Sequence, residues 1–437
     1  MPSRRPELSP APEALERRST TAAPLPAWRE TAFAAQARNG GGVRAWLLHG
    51  GPCWWRSCLA LWAAAFVVLS LAGLLAVRLV DMREGYDPVI GVDPHGIPGI
   101  WARWDSPYYL RLATDGYAVM PLALGYFPAY PLGIRAVSTL TGLPAAWAGL
   151  VLSQVSYLLG ILLFYRLARQ VHDDPDYAWR SVTYLVLFPS SFFFLAVYAE
   201  PVTLACSIAT LLLLTRRDRP AYLPAGLAAS IAVASRPVAI MLGAGFAGEW
   251  LRRRDYRPRT VAIVAAGLAL MVAGLAAYVV YLHALTGSWL AIPRAQARWG
   301  AVTTAPWSNY LQSIRVAIVG NGVAGDWFLY AMNAADLLFA SGALALTAAS
   351  CWLTWRGRLP LSLALYLVTS LALILSQHRN DMVPLWGSAR WVAALFPLYL
   401  VLARLETSQR GHLLIVWIFA VGQCALFAWW STGRWVG

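Results

Sequence analysis

The sequence predicts an all-α polytopic membrane protein: a helical bundle of about eleven transmembrane helices, within a range of roughly nine to twelve, with a helical first external loop. Three observations carry that expectation. Hydrophobic residues fill 59% of the 437 positions and charged ones only 13%, with a mean hydropathy of +0.53, a composition that belongs to membrane chains. Apolar runs of about 20 residues, the length of one crossing, recur along the chain. The 35 basic residues are all arginine, and they gather in short loops between those runs. That is the positive-inside pattern, so the net charge of +14 speaks of membrane orientation and not of nucleic acid. The lack of lysine points to a GC-rich coding bias and a bacterial plasma membrane.

Residues 1–56 are rich in Arg, Pro, Ala and Gly, hold eight arginines and show no apolar period; they read as a disordered cytoplasmic tail. The first apolar run begins too late for a cleavable signal peptide. Residues 57–437 form the transmembrane domain. The run 59–80 carries the chain out, making 81–144 the first external loop. Within it, 122–140 contains Pro128, Pro131 and Arg135, poor content for a crossing, and reads as a re-entrant or interfacial helix. The run 145–168 returns to Arg166 and Arg169. The stretch 179–197 runs out to Tyr198 and Glu200, and 201–215 comes back to Arg216, Arg217 and Arg219. The next run, 222–248, is long for one crossing and is broken by Arg236-Pro237, which predicts two short helices meeting at Arg236 near the outer face. After Arg252–Arg259, 261–283 leads to the second external loop, 284–325. The runs 327–355, 359–376, 391–405 and 412–430 complete the bundle, with the C-terminus outside. No internal repeat stands out, and the five cysteines form no CxxC pair, reading as small core residues.

One polar stretch interrupts this pattern. WARWDSPYYLRLATDGY (101–117) packs two acids, two arginines and five aromatics into a segment too short to span. Asp105, just ahead of Ser106-Pro107, stands where a helix begins, with Gly116 as the stop. On local sequence an ordinary helix cap and a functional acid are both open for Asp105. The ionisable residues unexplained by cytoplasmic anchoring are Arg103, Asp105, Arg111, Asp115, Arg135, Glu200, Arg236, Arg294, Arg298, Arg379, Asp381 and Arg390. All fall at external span ends. Acids and arginines converging beneath aromatic loops suit an amphipathic anion such as a lipid phosphate: arginine offers a permanent planar fork, and a carboxylate can accept a proton from an attacking hydroxyl. HExxH, P-loop and GxSxG patterns are missing, as is any His/Cys set with metal spacing. A lipid or sugar transporter is the alternative class, although transporters place charges midway along broken helices of repeated halves.

Five segments in order, RWDSPYYLRLATDGY, YFPAYPLGIR, FPSSFFFLAVYAEP, AGLAASIAVASRP and SARWVAALFPLYL, resemble the successive signatures of the PIG-V type mannosyltransferases, of the GT-C class of polytopic glycosyltransferases. The resemblance covers roughly 101–400. It implies transfer of mannose from a polyprenyl (dolichyl-type) phosphate donor to a lipid-linked or glycolipid acceptor on the non-cytoplasmic face, by inverting displacement, with no certain cofactor and no metal-ligating residue assigned. The catalytic acid of the first external loop would be Asp105, beside Trp104. Glu200 matches the acid of the Tyr-x-Glu element, Arg236 the Arg-Pro element and Arg390 the arginine before the Phe-Pro helix, so Trp104, Glu200, Arg236 and Arg390 would bind substrate. Many members carry His or Trp at the position of Tyr108, which leaves Tyr108 a packing or lipid-contact residue.

Overall fold

A computed structural model of the chain describes residues 43–51, 53–83, 89, 91–320, 327–378 and 380–436. Most of the expected tail, and Arg379, lie outside them. Of the unit 1–44 only Val43 and Arg44 are described. Everything else belongs to the unit 45–437.

The expected tail boundary at 56 differs from what is observed. Residues 43–49 form α1 (Val43–His49), whose Leu47 carbonyl accepts from Trp179 Nε1 at 3.0 Å, and α2 (Trp54–Leu79) already opens at Trp54. The stretch between α2 and α5 holds α3 (Ser106–Thr114) and α4 (Ala129–Thr141), both too short to cross. Then follow α5 (Ala145–Val171), α6 (Pro175–Leu187), α7 (Glu200–Leu214), α8 (Tyr222–Ser235), α9 (Leu242–Arg253) and α10 (Pro258–Thr286). The second loop contains α11 (Ala291–Arg298) and α12 (Pro306–Val319). The chain ends with α13 (Trp327–Trp355), α14 (Leu361–Leu375), α15 (Ser388–Ala393), α16 (Pro397–Leu405) and α17 (Gln409–Ser431).

Five of these helices, α2, α5, α10, α13 and α17, are long and apolar enough to cross a membrane, and α7, α8 and α14 are shorter apolar helices. The run 222–248 is two helices, α8 and α9, with Arg236 and a 3-10 turn (Pro237–Met241) between them. Two expected crossings are not single helices. The stretch 179–197 stops as a helix at Leu187 and continues through a 3-10 turn, because Pro189 lacks the N–H that helix continuation needs. The stretch 391–405 divides between α15 and α16 at Phe396-Pro397 for the same reason.

Packing follows the small residues. A Cβ on Gly226 of α8 would run into the Gly267 backbone of α10, so the two helices meet backbone to backbone, the usual way apolar helices associate where lipid supplies no hydrophobic drive. Elsewhere α5 lies against α7, α9 against α14 and α17 against α2. A two-residue pairing, β1 (Val302–Thr303) with β2 (Gln377–His378), joins the second loop to the segment leading to α15.

Candidate active site

Four segments assemble the site: the turn in front of α3, residues 188–200, α15, and the break between α8 and α9. Trp101 is fully buried, stacked on Phe427 at 4.2 Å, with its Nε1 donating to Ser70 at 3.1 Å. Trp104 then takes a left-handed φ of 55°, which costs on the order of 1–3 kcal/mol in a non-glycine residue. Asp105 follows in helical conformation, and its carboxylate makes no capping bond. The ordinary-cap reading of Asp105 therefore does not hold. Asp174 provides the contrast: it is extended and accepts from the Asp176 N–H ahead of α6, as a true cap does.

What Asp105 does instead defines the site. Its Oδ2 lies 2.7 Å from Arg390 NH1, and its Oδ1 accepts from the Tyr126 hydroxyl at 3.0 Å. Its own N–H donates to the Tyr198 hydroxyl at 3.2 Å.

The second segment is 188–200, buried throughout. Ser106 Oγ donates to the Val197 carbonyl at 3.0 Å, and the Val197 N–H donates to Trp101 O at 3.0 Å, stitching this segment to the Asp105 turn. It delivers Glu200 at the start of α7 with 1% of its side chain exposed. The third segment is α15, carrying Arg390, which faces Arg236 of the α8–α9 break across Glu200. Arg390 Nε is 3.5 Å from Glu200 Oε1, and Arg236 NH1 pairs with the same oxygen.

The result is an alternating chain, Asp105–Arg390–Glu200–Arg236, balanced in charge. Arg390 is 5% exposed and lies over the rings of Trp435 at 5.3 Å, Phe193 at 5.6 Å and Tyr198 at 5.7 Å, contacts that favour a cation. Burial works against its charge, but the carboxylates of Asp105 and Glu200 outweigh it and hold Arg390 above the usual arginine range. Burial, and then the charge of Asp105, push the Tyr126 hydroxyl well above the usual tyrosine range, so it stays protonated and donates. Its carbonyl accepts from Tyr117 at 2.9 Å and from Tyr278 at 3.2 Å, which fixes the ring behind that donor.

All four charged residues and Trp104 face one cavity of about 1570 Å³, larger than the roughly 300–1,000 Å³ of a drug-sized pocket. Tyr108, Tyr126, Gln296, Trp299 and Trp435 also line it, and Leu204, Val238 and Ile240 extend it as an apolar wall. Tyr108 stacks on Tyr126 at 5.0 Å and meets Trp299 edge-on at 5.4 Å. Gln296 Nε2 donates to Gly125 O at 3.3 Å, so the two long loops close one side of the cavity together. Trp104 packs edge-on against Trp435 at 5.2 Å. Among the described residues no group of three His, Cys, Asp or Glu side chains could hold a metal ion.

The sequence-predicted residues Trp104, Asp105, Glu200, Arg236 and Arg390 are thus brought together. Others are accounted for by structure. Arg103 is buried, donating to Ser431 O at 2.8 Å and Pro94 O at 2.6 Å. Arg135 donates to the Ala113 and Thr114 carbonyls at the end of α3, where orphan acceptors need a donor. Arg111 also lines the cavity and forms an exposed 3.7 Å pair with Asp115. Arg294, Arg298 and Asp381 do not line the cavity. Sequence reasoning did not single out Tyr126 and Tyr198, although both sit inside quoted segments, because one tyrosine among many aromatics carries no signal of its own until the fold places it. It also missed Asp336, whose signal was plain: a lone acid in the apolar run 327–355.

Residues 97–405 match the mannosyltransferase (PIG-V) family. No curated protein matches the chain by sequence. Among solved structures, ArnT from Cupriavidus metallidurans, bound to undecaprenyl phosphate, is similar with a TM-score of 0.52 and 14% identity over 86% of this chain and 76% of that one. The Archaeoglobus fulgidus oligosaccharyltransferase tethered with an acceptor peptide has a TM-score of 0.45 and 14% identity over 85% of this chain and 55% of its own. The ArnT likeness bears on the fold alone, which is that of the GT-C polytopic glycosyltransferases. With that fold around the acid–arginine chain and a family match reaching from Ile97, ahead of α3, to the end of α16, the chain belongs to the PIG-V mannosyltransferases, a family of membrane glycosyltransferases.

Proposed function

We propose that the protein transfers mannose from a polyprenyl-phosphate mannose donor to a lipid-linked or glycolipid acceptor, on the non-cytoplasmic face of a bacterial plasma membrane, by a single inverting displacement. The observation that carries this reading is the juxtaposition of Asp105 and Arg390, 2.7 Å apart, on one large cavity. ArnT, which shares the fold, is bound to undecaprenyl phosphate, which supports a polyprenyl carrier here. Asp105 acts as general base, taking the proton of the acceptor hydroxyl as that oxygen attacks the anomeric carbon. The C–O bond to the phosphate breaks on the opposite face, and Arg390 and Arg236 stabilise the departing phosphate. Glu200 holds the two arginines side by side, Trp104 bounds the substrate beside the base, and the apolar wall takes the carrier chain. In the resting structure both arginines are paired to acids, so the incoming phosphate competes for cations already aligned. Membership in a glycosyltransferase family decides against the transporter alternative.

The test is transfer of labelled mannose from a polyprenyl-phosphate donor to lipid extract in membrane vesicles, comparing the chain with Asp105→Asn. Transfer by the parent and its loss in the variant are expected. Transfer from a sugar nucleotide but not from the polyprenyl donor would overturn the donor assignment.

A further inference from the structure

One buried acid has no part in the chemistry above. The helix α13 is apolar over 29 residues and carries one acidic side chain, Asp336, and no basic one; the acid is 4% exposed. An acid within a span is costly and calls for a partner, and here the partners are not basic. Oδ1 accepts from the Ala389 N–H at 3.1 Å and lies 3.0 Å from the Ser388 hydroxyl, while Oδ2 accepts from the Gly387 N–H at 3.3 Å. The carboxylate thus holds the start of α15, the helix that carries Arg390. On the other side, Ser190 Oγ donates to the Ala389 carbonyl at 2.7 Å. Gly387 enters this turn with φ +78°, a conformation glycine adopts without strain.

Six residues make too short a helix to stand alone. Where it sits is set by what bonds its first turn, whose amides have no partner within the helix. The Asp336 carboxyl ties this turn at three points, the Gly387 amide just ahead of the helix, the Ser388 hydroxyl and the Ala389 amide within it, and each bond to a buried group of this kind is costly to leave unmade. Arg390 lies in the next residue, and a displacement of about 1 Å costs on the order of 10²-fold in an oriented site. We propose that Asp336 is a positioning residue for Arg390, fixing through the Gly387–Ala389 turn the guanidinium that meets the donor phosphate. The inference rests on the reading of Arg390 given under Proposed function.

The experiment measures kcat and donor KM with polyprenyl-phosphate mannose for the full chain and for Asp336→Ala, Asp336→Leu, Asp336→Asn, Arg390→Ala and the Asp336→Ala/Arg390→Ala double variant. Leu keeps bulk and suits an apolar span, so it carries the test where Ala fails to accumulate. Ala and Leu are expected to raise donor KM about 10-fold or more. Asn keeps one oxygen acceptor and should restore most of the affinity. The double variant should be no worse than Arg390→Ala alone, because the two side chains act as one unit. Unchanged kinetics in Asp336→Leu, or an effect that adds in full to that of Arg390→Ala, overturns the proposal. If Arg390→Ala lowers turnover and leaves donor KM alone, the phosphate reading fails by itself, and Asp336→Ala should then reproduce that turnover loss. An Arg390→Ala variant with no kinetic change overturns both.

Discussion

Asp105 is oriented through both of its oxygens, by Arg390 on one and Tyr126 on the other, and a carboxylate still has lone pairs left for a substrate hydroxyl. As the base it should be irreplaceable: Asp105→Asn is expected to lower turnover about 10²-fold or more with donor KM nearly unchanged, and Asp105→Glu should recover little, since a shift of about 1 Å is costly. Single-turnover kinetics on folded protein checks both, and near-normal turnover in the Asn variant would move attention to Glu200. Tyr126→Phe keeps the stacked ring and removes one hydrogen bond to a charged group, worth about 1.5–3 kcal/mol. Turnover should drop by roughly 10-fold or more with donor affinity retained; an unchanged kcat would make Tyr126 a packing residue only. For the arginines, Lys at 236 or 390 supplies a point charge in place of a fork, so partial rescue relative to Ala is expected in donor KM. Full activity of both Lys variants would argue against a two-pronged grip on phosphate.

At the scale of elements, the break between α8 and α9 is what lets Arg236 reach Glu200. Arg236 is extended, at φ −149°, and Pro237 opens the 3-10 turn after it, so neither helix runs through the position. The same logic separates α15 from α16 and keeps Arg390 on a short, externally braced helix. Rigidity comes from the contact of α8 with α10, where Gly226 leaves no room for a side chain. Gly226→Leu should therefore destabilise the protein by about 1–3 kcal/mol through overpacking, read as a lower unfolding midpoint in detergent. A midpoint matching the parent would mean that the two helices separate without cost.

On the scale of the whole molecule, the arginines of short loops set an orientation that the positive-inside rule makes testable. We expect the loops at Arg216–Arg219, Arg252–Arg259 and Arg356–Arg358 to be cytoplasmic and the cavity wall at Tyr108 and Trp299 to face the other side. Of single cysteines placed at 255 and at 299 in a background lacking the five native cysteines, an impermeant reagent should label 299 in intact cells and 255 only in inside-out vesicles. External labelling at 255 would invert the topology and with it the side of the reaction.

The sequence by itself determined the helical membrane class, the two-helix reading of 222–248 and the five residues that now face one cavity. Each of these is a local property: apolar length, a proline without its N–H, a motif in order. It also left Asp105 open as an ordinary cap, because a cap and a site acid look alike until the φ of the residue and the partner of its carboxylate are known. Only the tertiary structure decided the alternating chain. Asp105 and Arg390 are 285 positions apart, and nothing in either neighbourhood states that they meet. The same holds for Asp336, whose partners are backbone amides some fifty positions away. Sequence shows which side chains a residue carries, but backbone amides are common to every residue, so a site built on them becomes visible only once the chain has folded.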